Sequence, residues 1–378
     1  MVRFIHTGDW QLGMTRHFLA GEAQERFAEA RLDAVRTIAR LASVEHCDFV
    51  VVCGDVFESN QVDRRVVARA LDALAAFDVP VYLLPGNHDP INAASVYRSP
   101  AFTAHCPPNV VVLEEAGARR VPGLGVEVVA APWDSKEPLE DLAAKACTGL
   151  AQDDRLRRVL VAHGAVDAIA PDPNNPNLIR LAALEQAVGS GLVHYVALGD
   201  RHSATEVGNT GRVWYAGSPL ATDYGEAEPN HVLLVELEGG SVEVDRRRTG
   251  SWQFLRERFD VNHRSEVDGV EAWLEAVTEK RSSVVKLSFV GTLNLADQAR
   301  LDEILEHHAD LFAALEVWDR HTELVVRPDD DDLRDLGLVG FAADALDELR
   351  AVAAAPGPEA AAAQDALSLL YRLVGRPA

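Results

Sequence analysis

The chain has 378 residues, 48% of them hydrophobic and 25% charged, with a formal net charge of −23. That length points to two or three domains with ample apolar material to bury, and the charge excludes capture of nucleic acid by an overall positive field, because such capture neutralises phosphates with Lys and Arg. No apolar run of about 18 residues suggests a membrane span, the N-terminus reads without a charged-then-apolar leader, and Cys47, Cys53, Cys106 and Cys147 form no Cys-x-x-Cys pair, so a cytoplasmic chain lacking a disulfide framework or thiolate zinc site is expected.

From the N-terminus, short Val- and Ile-rich runs alternate with polar loops and with stretches of helical periodicity, the pattern of a layered α/β fold. Expected strands are Val2–His6, Phe49–Cys53, Val79–Leu84, Val126–Ala130, Val159–Ala162 and Val193–Leu198. Between them, Glu22–Val44 sets Phe27, Leu32, Val35, Ile38 and Ala42 on one helical face, and Arg64–Phe77 does the same with Val67, Leu71 and Leu74. A β-rich stretch follows, with Val213–Tyr215, then His231–Leu237, a Gly239-Gly240 turn and Ser241–Val244. The segments Arg246-Arg247-Arg248 and Arg155, Arg157 and Arg158 read as solvated surface or as local anion contacts.

From about Ser251 a smaller α+β unit is expected: strand Phe254–Val261, helix Glu266–Glu279, strand Val284–Val290, helix Ala296–His307 and strands Leu315–Trp318 and Glu323–Val326. His307-His308 then reads as a C-terminal helical turn, where His suits the helix dipole, rather than a ligand pair. The acidic run Asp329–Asp332 reads as a linker, and helices Phe341–Ala354 and Glu359–Val374 close the chain around Pro356-Gly357-Pro358. The expected division is therefore 1–250, 251–328 and 329–378.

Metal-ligand chemistry recurs where strands end, which is where open α/β sheets place their sites. Asp9 and Gln11 follow the first strand, Gly54-Asp55 the second and Gly86-Asn87-His88-Asp89 the third; His163-Gly164 and Gly199-Asp200-Arg201-His202 follow later ones. Any one of these alone is an ordinary turn or a hydrogen-bonded core histidine. Five in succession after five strands are not explained by independent turns, and oxygen and imidazole donors without thiolates suit hard or borderline divalent cations.

The series resembles the calcineurin-like metallophosphoesterases. Within them, His6-Thr7-Gly8-Asp9-Trp10-Gln11-Leu12-Gly13, Gly54-Asp55-Val56-Phe57, Ala197-Leu198-Gly199-Asp200-Arg201-His202 and Tyr215-Ala216-Gly217-Ser218-Pro219 are similar to the SbcD-type nuclease subunit of double-strand-break repair complexes. The resemblance covers roughly residues 1 to 250. It implies a four-layer α/β/β/α sandwich with a small α+β cap and a helical tail. It also implies two divalent ions, manganese with magnesium, iron or zinc as alternatives, one held by Asp9, Gln11, Asp55 and His202 and the other by Asp55, Asn87, His163 and Asp200. His88 would be the catalytic acid and Asp89 would orient its ring.

Three positions depart from the family pattern. Gln11 stands where His is usual, Asp200 stands for the first His of Gly-His-x-His, and Glu58 stands where a phosphate-facing His is common. The first two keep an oxygen donor and make the cage more oxygen-rich; a carboxylate at Glu58 opposes a polyanion. Trp10 and His17 are further candidates for substrate contact, and Trp10 reads equally as packing on the site wall.

The implied partners are DNA, a second copy of the chain through helices 63–77 and 92–105, and an SMC-like ATPase of the SbcC/Rad type gripped by the terminal helices. Those helices carry Phe341, Leu346 and Leu349, and Leu367, Leu370 and Leu373, on single faces, which also suits packing on their own domain. The expected activity is that of a DNA exonuclease or endonuclease in the cytoplasm, associated with the nucleoid; the alternatives are a phosphodiesterase of small substrates and a non-catalytic, metal-binding scaffold for the ATPase.

Overall fold

The computed structural model describes residues 1–135, 137–170, 175, 178–326 and 338–374. The expected linker at Asp329–Asp332 lies outside the described residues. The chain forms two compact units, Met1–Trp252 and Gln253–Ala378.

In the first unit the elements run β1 (Val2–Thr7), α1 (Glu22–Val44), β2 (Phe49–Cys53), α2 (Arg64–Leu74), β3 (Val81–Leu84), α3 (Pro100–Thr103), β4 (Val110–Val112), β5 (Gly117–Arg120) and β6 (Val126–Ala131). They continue with α4 (Leu142–Cys147), β7 (Arg157–His163), α5 (Leu181–Gly189), β8 (Tyr195–Gly199), β9 (Thr205–Glu206), β10 (Val213–Tyr215), β11 (His231–Glu238) and β12 (Ser241–Arg248). Two six-stranded sheets result, in the orders β12-β11-β1-β2-β3-β4 and β5-β6-β7-β8-β10-β9. β1 to β4 pair in parallel, as do β6, β7, β8 and β10, so the ligand-bearing strands of each sheet end along one edge.

Strand alternation sorts the apolar residues into three layers of core. Ile5, Val50, Val52 and Val81 face α1 and α2, meeting Val35, Ile38 and Leu71. Their neighbours Phe4, Phe49, Val51 and Tyr82 face the other sheet and meet Val126, Val159, Tyr195 and Ala197. Leu160, Ala162 and Val196 turn outward onto Ala143 of α4 and Leu184 of α5. Burial on both faces explains why these strands read as unbroken apolar runs, and the layers are helix, sheet, sheet, helix, as the resemblance implied.

α2 starts at Asp63, whose side chain accepts from the Arg65 amide at 2.7 Å. It ends at Leu74, short of the expected Phe77. The helix expected over Asn92–His105 is corrected: a 3-10 turn at Val96–Arg98 and the four-residue α3 occupy it. Asn92 engages the Ala94 amide with its side chain, an Asx turn, and Pro100 supplies no amide to continue a helix from Val96. The Arg-rich segments are largely matched by acid: Arg155 by Asp153, Arg158 by Glu127, Arg247 by Glu45.

The second unit contains β13 (Gln253–Val261), α6 (Arg264–Ala276), β14 (Ser283–Leu293), α7 (Leu295–Ala309), β15 (Ala314–Val317) and β16 (Glu323–Val326), followed by α8 (Phe341–Ala354) and α9 (Ala360–Val374). Its strand pairings are parallel, with β14 central, and Val267, Leu274, Leu301 and Ile304 of α6 and α7 cover Val285, Leu287 and Phe289. His307 and His308 fall in the last turn of α7. Leu346 of α8 and Leu367 of α9 pack on Leu295, whereas Phe341 is 86% exposed. No described helix is long and apolar enough to cross a membrane.

Candidate metal centre

The backbone turns sharply as it leaves the strands. Asp9, Gln11, Asp55 and Asp200 have φ of 52°, 44°, 53° and 100°, a left-handed region that costs a non-glycine residue on the order of 1–3 kcal/mol. Hydrogen bonds hold these turns in place. The Asp9 amide donates to the Gly54 carbonyl at 3.1 Å, Gln11 to Asp55 at 2.8 Å and Leu12 to Val56 at 2.9 Å, so the first two loops extend the pairing of β1 with β2. The His88 amide donates to Asp55 Oδ1 at 3.0 Å, and the Asp200 amide to both oxygens of Asp9 at 3.1 Å. Two glycines let the sheets approach. A Cβ on Gly54 would stand 2.2 Å from His163 Nδ1, and one on Gly199 would stand 1.8 Å from the Cys53 carbonyl oxygen.

Asp9, Asp55 and His163, all buried, bring ligand atoms within 4.8 Å of one another. His163 Nδ1 lies 2.8 Å from the Cys53 carbonyl oxygen, which can only accept, so that nitrogen carries a hydrogen. In the neutral ring Nε2 then presents a lone pair to Asn87 Oδ1 at 2.7 Å, Asp55 Oδ1 at 3.5 Å and Asp200 Oδ1 at 3.8 Å. The carboxylates thus face an acceptor, an arrangement that a proton or a cation between them relieves, while the Asn87 amide turned over can donate to the same nitrogen. Burial alone would depress the His163 pKa, yet Asp55, Asp9 and Asp200 outweigh it and lift the ring to about 9. Burial also pushes the Asp9 carboxyl upward, with Asp55 and Asp200 adding to the rise and His202 and His163 opposing it. Burial dominates the rise of Asp9, whereas the neighbouring carboxylates carry that of His163.

On the other side of Asp9, His202 Nε2 lies 4.0 Å from Asp9 Oδ1, while its Nδ1 is engaged by Thr222 Oγ1 at 2.7 Å and Glu226 Oε1 at 3.0 Å. Gln11 is 4% exposed, and its Oε1 is buried with no hydrogen-bond partner. An orphaned amide oxygen, clustered carboxylates and an imidazole lone pair suit a hard or borderline divalent cation, and Cys53, whose thiol burial pushes well above its ordinary pKa, offers no thiolate.

Asp89 makes its hydrogen bonds away from His88: it is fully buried and accepts from the Gly86 amide at 2.8 Å, the Phe57 amide at 3.0 Å and the Tyr97 hydroxyl at 2.6 Å. It braces the loops that carry Asp55 and Asn87. His88 is held instead through Nδ1, 2.9 Å from the Glu58 carbonyl oxygen, with Nε2 3.9 Å from Asp55 Oδ2 and the side chain 37% exposed. Trp10 has no face free for a base: it is 1% exposed and donates its indole hydrogen to Thr7 Oγ1 at 3.0 Å. His17 is exposed and packs edge-on against Phe18. Glu58 keeps one carboxylate oxygen, Oε2, buried and without a partner. Thr222 and Glu226 escaped sequence reasoning, because they lie in a loop with no strand-end signature and reach His202 only through the fold.

The model of the calcineurin-like phosphoesterase family matches residues 2–230. Among curated proteins, the chain is 24% identical over 295 residues to the SbcD subunit of the SbcCD nuclease of Escherichia coli K12, a match spanning 64% of this chain and 66% of that protein. It is 32% identical over 91 residues to "DNA double-strand break repair protein Mre11" of Archaeoglobus fulgidus, 23% of this chain and 19% of that protein. Among solved structures, a dimetal phosphatase from Danio rerio aligns at 15% identity and a TM-score of 0.40, covering 66% of this chain and 96% of that one.

Proposed function

Because the chain belongs to the calcineurin-like phosphoesterase family, we propose that it is a manganese-dependent, two-metal phosphodiester hydrolase whose substrate is DNA. The observation that carries the metal part is the buried cluster itself, in which Asp9, Asp55 and His163 bring ligand atoms within 4.8 Å of one another and Gln11 Oε1 has no hydrogen-bond partner. Asp9, Gln11, Asp55 and His202 would hold one ion and Asp55, Asn87, His163 and Asp200 the other. Bound there, divalent ions supply Lewis-acid polarisation of the phosphoryl group and a water nucleophile at neutral pH.

The chain's own residues supply position and a proton. His88, anchored at Nδ1 on the Glu58 carbonyl, presents Nε2 beside Asp55, and with a second proton there it donates to the departing alkoxide. Asp89 and Tyr97 keep the Gly86–His88 turn rigid beneath it. Similarity to proteins named as a component of a nuclease and a double-strand-break repair protein supports DNA as substrate. It also supports work in repair; we further propose an SMC-like ATPase partner gripped by α8 and α9, and a cytoplasmic, nucleoid-associated homodimer with α2 at its face. The unit from Gln253 would act as the cap.

A second reading, hydrolysis of small phosphodiesters, is favoured by the net charge of −23 and by a carboxylate residue at Glu58, whose backbone carbonyl holds His88. Manganese-dependent turnover of linear duplex DNA, single-stranded DNA and an aryl phosphodiester, each compared with Asp55→Asn and His88→Ala, separates the readings. DNA cleavage lost in both variants is expected. Turnover of the small diester alone would replace the nuclease, and no turnover anywhere would leave a metal-binding scaffold.

A further inference from the structure

Among the described residues, Glu226 is the one carboxylate engaged by a cage imidazole that lies outside the expected ligand set. Its side chain is 6% exposed, and the only Lys, Arg or His nitrogen that forms an ion pair with it within 4.0 Å is His202 Nδ1. Buried Arg31 acts on it electrostatically without forming an ion pair within 4.0 Å, and burying a carboxylate without a paired Lys or Arg is costly, so its placement calls for a reason. A turn cap alone does not supply one. The Thr222 amide needs one acceptor and takes Glu226 Oε2 at 2.9 Å, whereas Oε1 reaches past the turn to the ring, 3.0 Å from Nδ1, and also meets the Thr222 hydroxyl. Arg16 fixes the same turn from the other side, donating to the Thr222 carbonyl at 2.6 Å.

We propose that Glu226, with Thr222, is a positioning residue for the divalent-cation site on the Asp9 side of the cage. The two oxygens share the Nδ1 hydrogen of His202, which fixes the tautomer whose lone pair is on Nε2 and aims that nitrogen toward Asp9. Outer partners of this kind set the orientation and basicity of a ligating imidazole. The inference deepens the metal reading above and rests on it.

The test uses the full chain, stripped with chelator and titrated with Mn2+ alone, free Mn2+ being counted by electron paramagnetic resonance. Wild type is expected to bind two ions. Glu226→Ala weakens one of them by about 10–100-fold and leaves the other unchanged. Glu226→Gln, whose amide oxygen still accepts the Nδ1 hydrogen, recovers most of the affinity, and its metal-free melting temperature matches wild type. Two ions bound with wild-type affinity by both variants would overturn the role of Glu226 alone. So would an equal loss at both sites that tracks a fall in metal-free melting temperature, as a simple turn cap predicts. Should Glu226→Ala fail to fold, Thr222→Val decides: loss at the same single site supports the assignment and unchanged binding overturns it. Wild type that binds no Mn2+ would instead remove the metal reading, and this inference with it.

Discussion

Replacing Asp89 by Ala tests whether this carboxylate is a brace or a partner of His88. The side chain is fully buried and takes two backbone amides and a tyrosine hydroxyl. Each buried donor left unpaired costs about 1–3 kcal/mol, so the gross loss is roughly 3–9 kcal/mol. An opposing effect reduces it. Burial first, and then Asp55, push the Asp89 pKa from 3.8 to about 6 against its three hydrogen bonds, so removing the charge at neutral pH returns roughly 3 kcal/mol at 1.4 kcal/mol per unit. The difference spans roughly 0–6 kcal/mol, and a net destabilisation near its middle, about 3 kcal/mol, is expected, a large part of a typical domain's stability. Asp89→Asn keeps one accepting oxygen and falls between. Urea denaturation of the metal-free protein measures both. A midpoint for Asp89→Ala within about 0.5 kcal/mol of wild type, together with a large fall in kcat for Asp89→Asn, would refute the brace and restore the orienting role.

Two further outcomes follow from buried polar groups. Gln11→Leu removes an oxygen that has no hydrogen-bond partner; it should raise metal-free stability by about 1 kcal/mol while weakening Mn2+ binding, and unchanged Mn2+ binding would contradict the assignment of Gln11 as a donor. His6 is buried between the sheets, its Nδ1 accepting from the Tyr195 hydroxyl at 3.0 Å and its Nε2 donating to the Leu198 carbonyl at 3.1 Å. Burial depresses its pKa from 6.5 to about 3 against the Leu198 hydrogen bond. Between those values the unfolded chain binds the extra proton, so this contribution is present above pH 6.5 and is lost as pH falls, by about 2 kcal/mol at pH 5. Denaturation of His6→Gln between pH 7 and 5 should show a shallower slope than wild type; an equal slope would place the acid sensitivity elsewhere.

The strand ends were legible because each joins an unbroken apolar run to a polar exit, and both signals are local. Asp9, Asp55 and His163, which the fold brings together, were singled out that way along with Asn87 and His202, whereas the four layers were expected from the family resemblance and rest on alternate residues such as Phe49 and Val50 serving different cores. What stayed hidden depends on residues far apart in the chain. Asp89 reads as a neighbour of His88, but its acceptor capacity is claimed by an amide 32 residues away. Glu226 meets His202 across 24 residues. Helical composition over Asn92–His105 was overridden by side-chain competition for backbone amides at Asn92 and by Pro100. The left-handed turn at Gln11 has no residue-level signal, because glutamine is not among the types that favour it.

Asp9, Gln11, Asp55 and Asn87 stand on one sheet, and His163, Asp200 and His202 on the other. The gap between the two donor sets is therefore the thickness of the middle core, fixed by such spacers as the stacked Phe4 and Phe49 and the edge of Tyr195 against Phe4. If the cage holds ions as proposed, the spacing of its two donor sets is set by a hydrocarbon caliper, and side-chain volumes among residues that touch no ligand would bear on the ions it accepts.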